Sequence, residues 1–311
     1  MKTVRAVCIS EKKGTVKHPI PECQVIENYG LKGDAHAGNW HRQVSLLSYD
    51  KVKEFNARGA HIKDGDFGEN LLVNDLDFAT LPVGTILHCG DDVVLEMTQV
   101  GKVCHSQCAI RKLVGDCIMP REGVFARVIK GGIVRPGDEV SIEAPGPDRP
   151  FTAAVIVLSD KGSRGERVDE SGPAAKKVLE DNGYDVVETF ILPDEPKMLE
   201  KELIRLSDSR QVDAVFTSGG TGFSLRDQTP EATLAVADRN APGLAEAIRL
   251  GSMKITGRAM LSRGVSVIRK KTIIVNLPGS PKAVRESLDF ILDDLPHGIK
   301  ILRGTDGECA R

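Results

Sequence analysis

A proline-rich segment near the middle of the chain excludes regular secondary structure and so divides the chain into two parts. Residues 143–150 read Glu-Ala-Pro-Gly-Pro-Asp-Arg-Pro. Proline lacks an amide hydrogen and fixes its own backbone angle, so this stretch continues neither a helix nor a central strand. With 311 residues, the chain is long enough for a domain on each side. We predict a first domain over residues 1–144, a linker over 145–151 and a second domain over 152–311.

The first part consists mainly of short apolar runs between glycine- and proline-containing turns. Runs such as Val4–Ile9, Val44–Leu47 and Val93–Met97 have the length of strands, and Tyr49–Ala57 has the clearest helical pattern. This spacing predicts a mostly-β, barrel-like domain.

In the second part, apolar runs alternate with helical segments. The strands are predicted at Ala153–Leu158, Asp185–Ile191, Ala214–Thr217, Val265–Ile268 and Thr272–Leu277, and Lys282–Leu292 is predicted as the closing helix. Strand–helix alternation at this spacing predicts an α/β domain whose mainly parallel sheet is covered by helices on both faces.

Charge and hydropathy exclude several classes of function. The chain has 42 basic and 44 acidic residues and a net charge of −2, which lacks the basic excess of a nucleic-acid or membrane surface. Its first apolar run is too short for a signal peptide, and no run approaches the ~20 apolar residues of a membrane span. Seven cysteines, an odd number, without a signal argue against a disulfide framework. We therefore expect a cytoplasmic protein.

Two glycine-containing junctions in the second part predict a phosphate site. Ser218-Gly-Gly-Thr-Gly222 and Asn276-Leu-Pro-Gly-Ser-Pro281 each follow an apolar strand and lead towards a helix, with Thr229 and Ser280 as candidate N-caps before a proline. Backbone amides and helix N-termini at the carboxyl edge of a parallel sheet bind anions. Neither a Walker A loop nor a dinucleotide fingerprint is present. The alternative is a pair of ordinary tight turns.

Charged residues follow the same strands. Asp194 and Asp227 would repel a phosphate unless a cation lay between them, and Mg²⁺ held by one or two carboxylates and by phosphate oxygens meets that need. Arg226 and Arg263 are candidates to neutralise phosphate oxygens. The alternative for each of the two carboxylates is a capped turn or a surface ion pair.

Six segments of the second part occur together in one order: Ser159-Asp160, Leu192-Pro-Asp194, Ser218-Gly-Gly-Thr-Gly222, Arg226-Asp-Gln-Thr-Pro-Glu-Ala-Thr233, Leu261-Ser-Arg263 and Asn276-Leu-Pro-Gly-Ser-Pro281. With them, residues 152–304 resemble the molybdopterin-binding adenylyltransferases of molybdenum cofactor synthesis. The resemblance implies a three-layer α/β fold, commonly a trimer. It also implies that molybdopterin takes AMP from Mg-ATP on its terminal phosphate while pyrophosphate leaves.

The resemblance assigns roles to particular residues. Asp194 and Asp227 match acidic residues essential for the transfer and are the candidates to hold Mg²⁺. The candidates for binding substrate or phosphate are Ser159, Asp160, Gly219, Gly220, Thr221, Gly222, Arg226, Ser262, Arg263, Pro278, Gly279 and Ser280. Gln228 stands where a small β-branched residue is more usual in the family.

A cluster of sulfur and imidazole side chains marks the first part. Cys104, His105, Cys108 and Cys117 lie close in sequence, but their spacing matches no common zinc finger. A reactive thiolate favoured by nearby basic groups is a second possibility, and small buried residues are a third.

Further segments accompany this cluster: Gly30-Leu-Lys-Gly-Asp-Ala-His-Ala-Gly38, Arg42-Gln-Val-Ser-Leu-Leu47 and Gly65-Asp-Phe-Gly-Glu-Asn70. With them, residues 1–144 resemble the MOSC domain. The resemblance implies a β-rich fold that binds the molybdenum cofactor or carries sulfur on a cysteine, for which Cys104 and Cys108 come before Cys117.

Two parts that resemble proteins of one pathway predict a bifunctional enzyme of molybdenum cofactor synthesis, with other proteins of that pathway as possible partners. The alternatives are a non-enzymatic carrier or scaffold for the pterin and a nucleotide pyrophosphate hydrolase.

Overall fold

The computed structural model describes residues 1–102 and 117–306. The candidates Cys104, His105 and Cys108 therefore lie outside the described residues. The chain forms two compact units, Met1–Gly146 and Pro147–Arg311. A strand begins at Phe151, the last residue of the predicted linker. The domain boundaries drawn from the sequence stay a prediction.

The first unit is rich in strands, as expected. They are β1 Thr3–Ile9, β2 His18–Ile20, β3 Cys23–Ile26, β4 Gly30–Leu31, β5 Val44–Ser48, β6 Leu71–Asn74, β7 Ile86–Cys89, β8 Val93–Val100, β9 Val124–Lys130, β10 Gly132–Val134 and β11 Val140–Glu143. Among the described residues they are accompanied by the short helices α1 Tyr49–Asn56 and α2 Met119–Glu122 and by a 3-10 turn at Phe78–Thr80.

Eight of these strands form one sheet in the order β11-β7-β8-β9-β5-β6-β1-β2, and β10-β3-β4 form a second sheet. Only the β5–β6 pair of the larger sheet is parallel. Apolar side chains such as Leu46, Leu71 and Leu95 are fully buried between the sheets and the loops. An isolated antiparallel bridge between Thr3 and Glu139 joins β1 to the residues just before β11. The barrel-like closure expected from the sequence stays a prediction.

The second unit alternates strands and helices. Its strands are β12 Phe151–Leu158, β13 Tyr184–Leu192, β14 Ala214–Ser218, β15 Arg239–Asn240, β16 Ser266–Arg269 and β17 Thr272–Leu277. Its α-helices are α3 Asp160–Ser163, α4 Ser171–Asp181, α5 Pro196–Ile204, α6 Thr229–Ala235, α7 Pro242–Met253, α8 Pro281–Asp289 and α9 Leu295–Arg303. A π-turn, Arg205–Ser209, extends α5, and a 3-10 turn, Gly257–Leu261, follows α7.

The sheet of the second unit is mixed, with three parallel and two antiparallel pairs among its described strands. Its strand order is β13-β12-β14-β17-β16-β15, and the first four strands are parallel to one another. The last two strands pair antiparallel. Only Lys270 and Lys271 separate β16 from β17, with Lys270 at φ 51°. A connection this short closes a hairpin, because a parallel crossover needs a dozen or more residues.

Helices cover both faces of this sheet, which confirms the three-layer arrangement. On β12, Ala153 and Val155 face a core shared with α4, α8 and α9, whereas Ala154 and Ile156 face a core shared with α5 and α6. Side chains that alternate between two faces, all of them buried, are expected of a strand enclosed on both sides.

The predicted closing helix is not the last one, because α9 follows it. The guanidinium group of Arg303 anchors α9 through hydrogen bonds of 2.8 and 2.7 Å to the two carboxylate oxygens of Asp213. It also donates to the carbonyl oxygens of Arg149 and Pro150, at 2.9 Å each. Arg303 therefore ties the last helix to the segment that enters β12. Among the described residues, no helix has the length and apolar character needed to cross a membrane.

Three strand ends of the second unit converge at Gly219. Its φ is +105°, and a methyl group added there would lie 2.5 Å from the carbonyl oxygen of Leu158 at the end of β12. The Gly219 amide donates to the Leu277 carbonyl at the end of β17, at 3.3 Å. Beside it, the Ser218 hydroxyl donates to the Pro278 carbonyl at 3.0 Å. Only glycine permits this close approach.

In the first unit, the carboxyl group of Glu69 is fully buried. Its Oε1 accepts a hydrogen bond of 2.7 Å from the Gly65 amide. Burial raises the pKa of Glu69 from 4.5 to about 7, because the charged form is deprived of water. Between pH 4.5 and about pH 7, the folded protein therefore holds a proton on Glu69 that the unfolded chain has lost.

We expect Gly219→Ala to destabilise the second unit by at least about 1–2 kcal/mol, because alanine at a positive φ is strained and its methyl group would meet Leu158. Gly279→Ala is the matched control, since its methyl group would lie 3.4 Å from the Gly219 Cα atom, near ordinary contact. Chemical denaturation of both variants measures the difference. Equal loss of stability would contradict the close approach as the cause.

We expect Glu69→Gln to remove a pH dependence of stability. The pKa of Glu69 is higher in the folded than in the unfolded protein, so the protonated side chain adds to the free energy of unfolding. This stabilisation is complete below pH 4.5 and is lost as the pH rises towards 7, by up to about 3 kcal/mol. Glutamine imitates the protonated acid. The stability gained by the variant over the wild type, measured by denaturation, should therefore grow between pH 5 and pH 8. A difference that does not change with pH would argue against burial of the charge.

Candidate functional site

The turn Ser218–Gly222 leads from β14 towards α6 and contains two successive glycines at positive φ. A side chain on Gly220 would collide with the hydroxyl of Thr229, whose amide donates to the Gly220 carbonyl at 3.2 Å. The glycines therefore allow the turn to pack directly on the start of α6.

The two predicted helix caps have different outcomes. Ser280 is confirmed as the N-cap of α8, because its Oγ accepts a hydrogen bond of 3.2 Å from the Ala283 amide. Thr229 is not an N-cap, since α6 begins at Thr229 itself and the preceding Gln228 makes no side-chain cap. Thr229 instead packs on the glycine turn, a contact that a local sequence pattern does not reveal.

Arg263 braces the glycine turn from outside. Its amide donates to the Thr221 carbonyl at 2.9 Å, and its Nε donates to the Gly222 carbonyl at 2.7 Å. The same guanidinium group donates to the Asp227 carbonyl and forms an ion pair with Glu231. Arg263 therefore fixes the shape of the turn, with its hydrogen-bonding capacity directed at the protein.

Ser262, the residue before Arg263, belongs to the same hydrogen-bonded segment. Its Oγ accepts from the Gly264 amide at 3.3 Å, and its carbonyl accepts from Arg249 Nε at 3.1 Å. The bond from Arg249 ties the Leu261–Arg263 segment to α7.

Two carboxylates at the ends of β12 and β13 bind each other's backbone. Asp194 Oδ2 accepts from the Asp160 amide at 2.9 Å, and Asp160 Oδ1 accepts from the Asp194 amide at 3.1 Å. Hydrogen bonds from Arg226 lower the pKa of Asp160. Burial raises the pKa of Asp194, and the negative charges of Asp160 and Asp227 add to that effect. Bringing these acidic groups together therefore has an electrostatic cost that a cation would offset.

Asp194 and Asp227 lie beside the same glycine turn. The Oδ1 atom of Asp194 is 3.5 Å from the position of a methyl group on Gly220, and Asp227 Oδ2 is 2.8 Å from that position on Gly222. The Asp227 carboxylate also accepts a hydrogen bond of 3.0 Å from the Ser224 amide. The structure thus brings together the two acidic residues singled out from the sequence.

The donor set suits Mg²⁺ better than a metal held by protein alone. Within residues 1–102 and 117–306, no three His, Cys, Asp or Glu side chains form a metal cage. Mg²⁺ is usually held by one or two carboxylates together with substrate phosphates and water. Asp194 and Asp227 supply ligands of that kind and number.

A cavity of about 380 Å³ opens next to the converging strand ends. Its lining includes Ser159, Gly162, Arg167, Asp169, Ser218 and Gly279. Ser159 caps α3 by accepting from the Gly162 amide at 3.0 Å. The volume is within the range of small-molecule sites, which begins at ~300 Å³. The first predicted phosphate junction thus contributes Ser218 to this cavity and the second contributes Gly279 and Pro281, whereas Gly219–Gly222, Asp194 and Asp227 are not among the described residues that line it.

Sequence reasoning missed two parts of this region. Arg167 and Asp169 line the cavity, although the segment before α4 gave no motif. The only local signal was Asp169, whose carboxylate accepts from the amides of Ser171 and Gly172 at the start of α4. Glu195 was also missed, and it pairs with Arg226 at 2.8 Å.

In the first unit, Cys117 lies in a buried apolar cluster with Ile118, Met119 and Phe125. Its side chain is 6% exposed. A cysteine that carries sulfur needs an accessible thiolate, and Cys117 does not offer one. Its burial is typical of the alternative in which cysteine fills a core.

The Gly30–Gly38 loop of the first unit is organised by a buried ion pair. The Asp34 carboxylate pairs with the Lys17 ammonium group. It also accepts from the amides of Ser10 and His36, at 3.0 and 2.9 Å. Asp34 thus holds the loop in place and leaves the His36 ring about one third exposed.

Comparison with known proteins assigns a family to each unit. The family described as "Probable molybdopterin binding domain" matches residues 154–297, and the MOSC domain family matches residues 33–141. The molybdopterin adenylyltransferase of Helicobacter pylori is 41% identical over 152 residues, which are 48% of this chain and 86% of that protein. The Escherichia coli molybdopterin adenylyltransferase is 38% identical over 171 residues, 50% of this chain and 87% of that protein.

Among solved structures, the molybdopterin biosynthesis enzyme MoaB of Thermus thermophilus is 44% identical and matches 51% of this chain and 99% of its own, with a TM-score of 0.48. On the identity and coverage of the two adenylyltransferases, the chain belongs to the molybdopterin adenylyltransferase family of nucleotidyltransferases, and it carries a MOSC domain ahead of the part that shows this membership.

Proposed function

We propose that the second unit transfers AMP from Mg-ATP to the terminal phosphate of molybdopterin and releases pyrophosphate. The observation that carries the proposal is that Ser218 and Gly279, one from each glycine-containing junction, line one cavity, while Asp194 and Asp227 lie beside the glycine turn. The named activity of relatives at 38–43% identity supports the same reaction.

The chain's own groups do the binding and the alignment. The amides of Gly220, Thr221 and Gly222 receive the pterin phosphate, and the N-terminus of α8 behind Ser280 adds its dipole. Because that phosphate is already anionic, the attack needs no strong general base. The protein then has to align the two substrates for an in-line attack and to neutralise the charge of the transferred group.

Asp194 and Asp227 are the residues that would hold Mg²⁺. When bound, the ion supplies positive charge to the phosphate oxygens of the nucleotide. Asp160 positions Asp194 through their paired backbone bonds. Arg263 fixes the positions of Thr221, Gly222 and Asp227 through their carbonyl oxygens. Its role is therefore to shape the site and not to neutralise the phosphate.

The first unit is proposed to bind the molybdenum cofactor or to handle sulfur for it. Its match to the MOSC domain supports this role. With Cys117 buried, Cys104 and Cys108 become the stronger candidates. We also propose that the protein acts in the cytoplasm and meets other proteins of molybdenum cofactor synthesis there.

Assembly through the second unit is proposed on the basis of an exposed apolar patch. It is formed by α7 and the turn after it, and its members are Leu250, Met253, Ile255, Met260 and Leu261, of which Leu250 and Met260 are 61% and 63% exposed. Contiguous apolar surface of this kind marks an interface. The proposed occupant is the same unit of other copies, in a trimer.

The reaction is tested with purified protein, molybdopterin and Mg-ATP. We expect adenylylated pterin and one equivalent of pyrophosphate. Pterin binding without any pyrophosphate would support a carrier, and ATP consumption without pterin would support a pyrophosphate hydrolase. Either result would overturn the proposed transfer.

We expect Asp227→Asn to lower the rate of transfer by about 100-fold or more, because the charge that faces the cation is lost. Asparagine keeps an oxygen to accept from the Ser224 amide, so folding should be spared. Asp185→Asn is the control, since Asp185 is exposed at the opposite end of β13. Similar rates for the two variants would remove Asp227 from the site.

We expect the wild type to have the mass of three chains in light scattering, and Leu250→Glu to shift it to smaller species. The reason is that a buried glutamate without a partner opposes association. Met198→Glu is the control, because Met198 is 45% exposed on α5, outside the patch. A mass unchanged by Leu250→Glu would place the interface elsewhere.

A further inference from the structure

Arg226 bridges the ends of two strands by binding acidic groups on both. Its Nε and Nη2 donate to the Asp160 carboxylate at 2.8 to 3.1 Å, and its Nη1 donates to Glu195 at 2.8 Å. Asp160 follows β12 and Glu195 follows β13, while Arg226 itself is on the loop between β14 and α6. One guanidinium group thus neutralises a cluster that also contains Asp194 and Asp227.

The space under this bridge is very small. A crevice lined by Asp194, Glu195, Arg226 and Thr229 has a volume of about 10 Å³. That volume is at the lower limit for one water molecule, ~10–15 Å³. Mg²⁺ keeps an octahedral shell and gives up its waters reluctantly, so it does not fit there while Arg226 stays in place.

The bridge is also easy to open. The side chain of Arg226 is 51% exposed, and those of Asp160 and Glu195 are 31% and 50% exposed. Ion pairs this open to water add little to stability, because solvent screens them and ordering two long side chains costs entropy. Opening the bridge therefore needs little free energy compared with what a divalent ion gains from two carboxylates.

We infer that Arg226 neutralises the acidic cluster instead of a divalent cation in the protein without nucleotide, and that it leaves Asp160 when the cation and the nucleotide enter. This inference rests on the proposed function and adds a positioning residue that couples cation binding to substrate binding. Arg226 is adjacent to Asp227, so a cation held there repels the guanidinium group. The anionic phosphates in the cleft then attract it.

Binding of Mn²⁺ to the nucleotide-free protein, followed by electron paramagnetic resonance, tests the inference without any turnover. Removal of a competing internal cation should make Arg226→Gln bind Mn²⁺ about tenfold more tightly than the wild type. Arg164→Gln is the matched control, because Arg164 is an exposed arginine that acts on Asp160 only through its charge and is paired with Glu166 at 2.8 Å.

Arg226→Lys separates charge from geometry. Lysine keeps the positive charge, but it cannot donate to Asp160 twice and reach Glu195 at the same time. Its affinity for Mn²⁺ should therefore fall between those of the wild type and Arg226→Gln. Equal affinity in the wild type and Arg226→Gln, or an equal gain in Arg164→Gln, would overturn the inference.

The result is distinguishable from failure of the proposed function. A wild type that makes no adenylylated pterin would sink the proposed transfer while leaving the Mn²⁺ comparison intact. Unchanged Mn²⁺ affinity in an active enzyme would sink only the role given to Arg226.

Discussion

The candidate site depends on one close approach of backbones, that of Gly219 to the carbonyl oxygen of Leu158. With no side chain at Gly219, the end of β14 lies between the ends of β12 and β17, and Gly279 packs beside it. Every other element of the site is placed relative to that contact. Ser159 and Asp160 follow β12, the glycine turn follows β14, and Ser280 follows β17. A single side chain at the centre would separate all three loops.

Groups that attract an anion and groups that repel it lie side by side around this contact. Glycine amides and the start of α8 favour an anion, yet Asp160, Asp194 and Asp227 lie next to them. Burial already raises the pKa of Asp194, which shows that its charge is held at a cost. Arg226 lowers that cost with a guanidinium group that is half exposed. A half-exposed internal cation stabilises the acidic cluster while leaving it available to a metal ion, which a buried arginine would not do.

Local patterns in the sequence were enough for part of this architecture. The alternation of apolar runs indicated the strands and helices of the second unit, and Ser280 before Pro281 indicated a cap that the structure confirms. The failures involve interactions between distant residues. Thr229 packs on Gly220 instead of capping a helix, and Arg303 holds the unpredicted α9 through Asp213. The two strands on either side of Lys270–Lys271 were predicted, but not that this short turn pairs them antiparallel and so makes the sheet mixed. The activity itself came from family resemblance, because phosphate-binding turns serve many reactions.

The reciprocal bonds between Asp160 and Asp194 explain why one arginine can affect a carboxylate that it does not touch. Each aspartate binds the other's amide, so their carboxylates cannot rotate independently. Arg226 binds both oxygens of Asp160 and thereby fixes its plane. If Arg226 leaves, the Asp160 carboxylate keeps its bond to the Asp194 amide and loses the contacts that fix its plane. The pair thus links the loop after β14 to the ends of β12 and β13, over a path made of hydrogen bonds rather than packing. Such a link makes cation binding and loop position depend on each other, as any coupling between two sites requires.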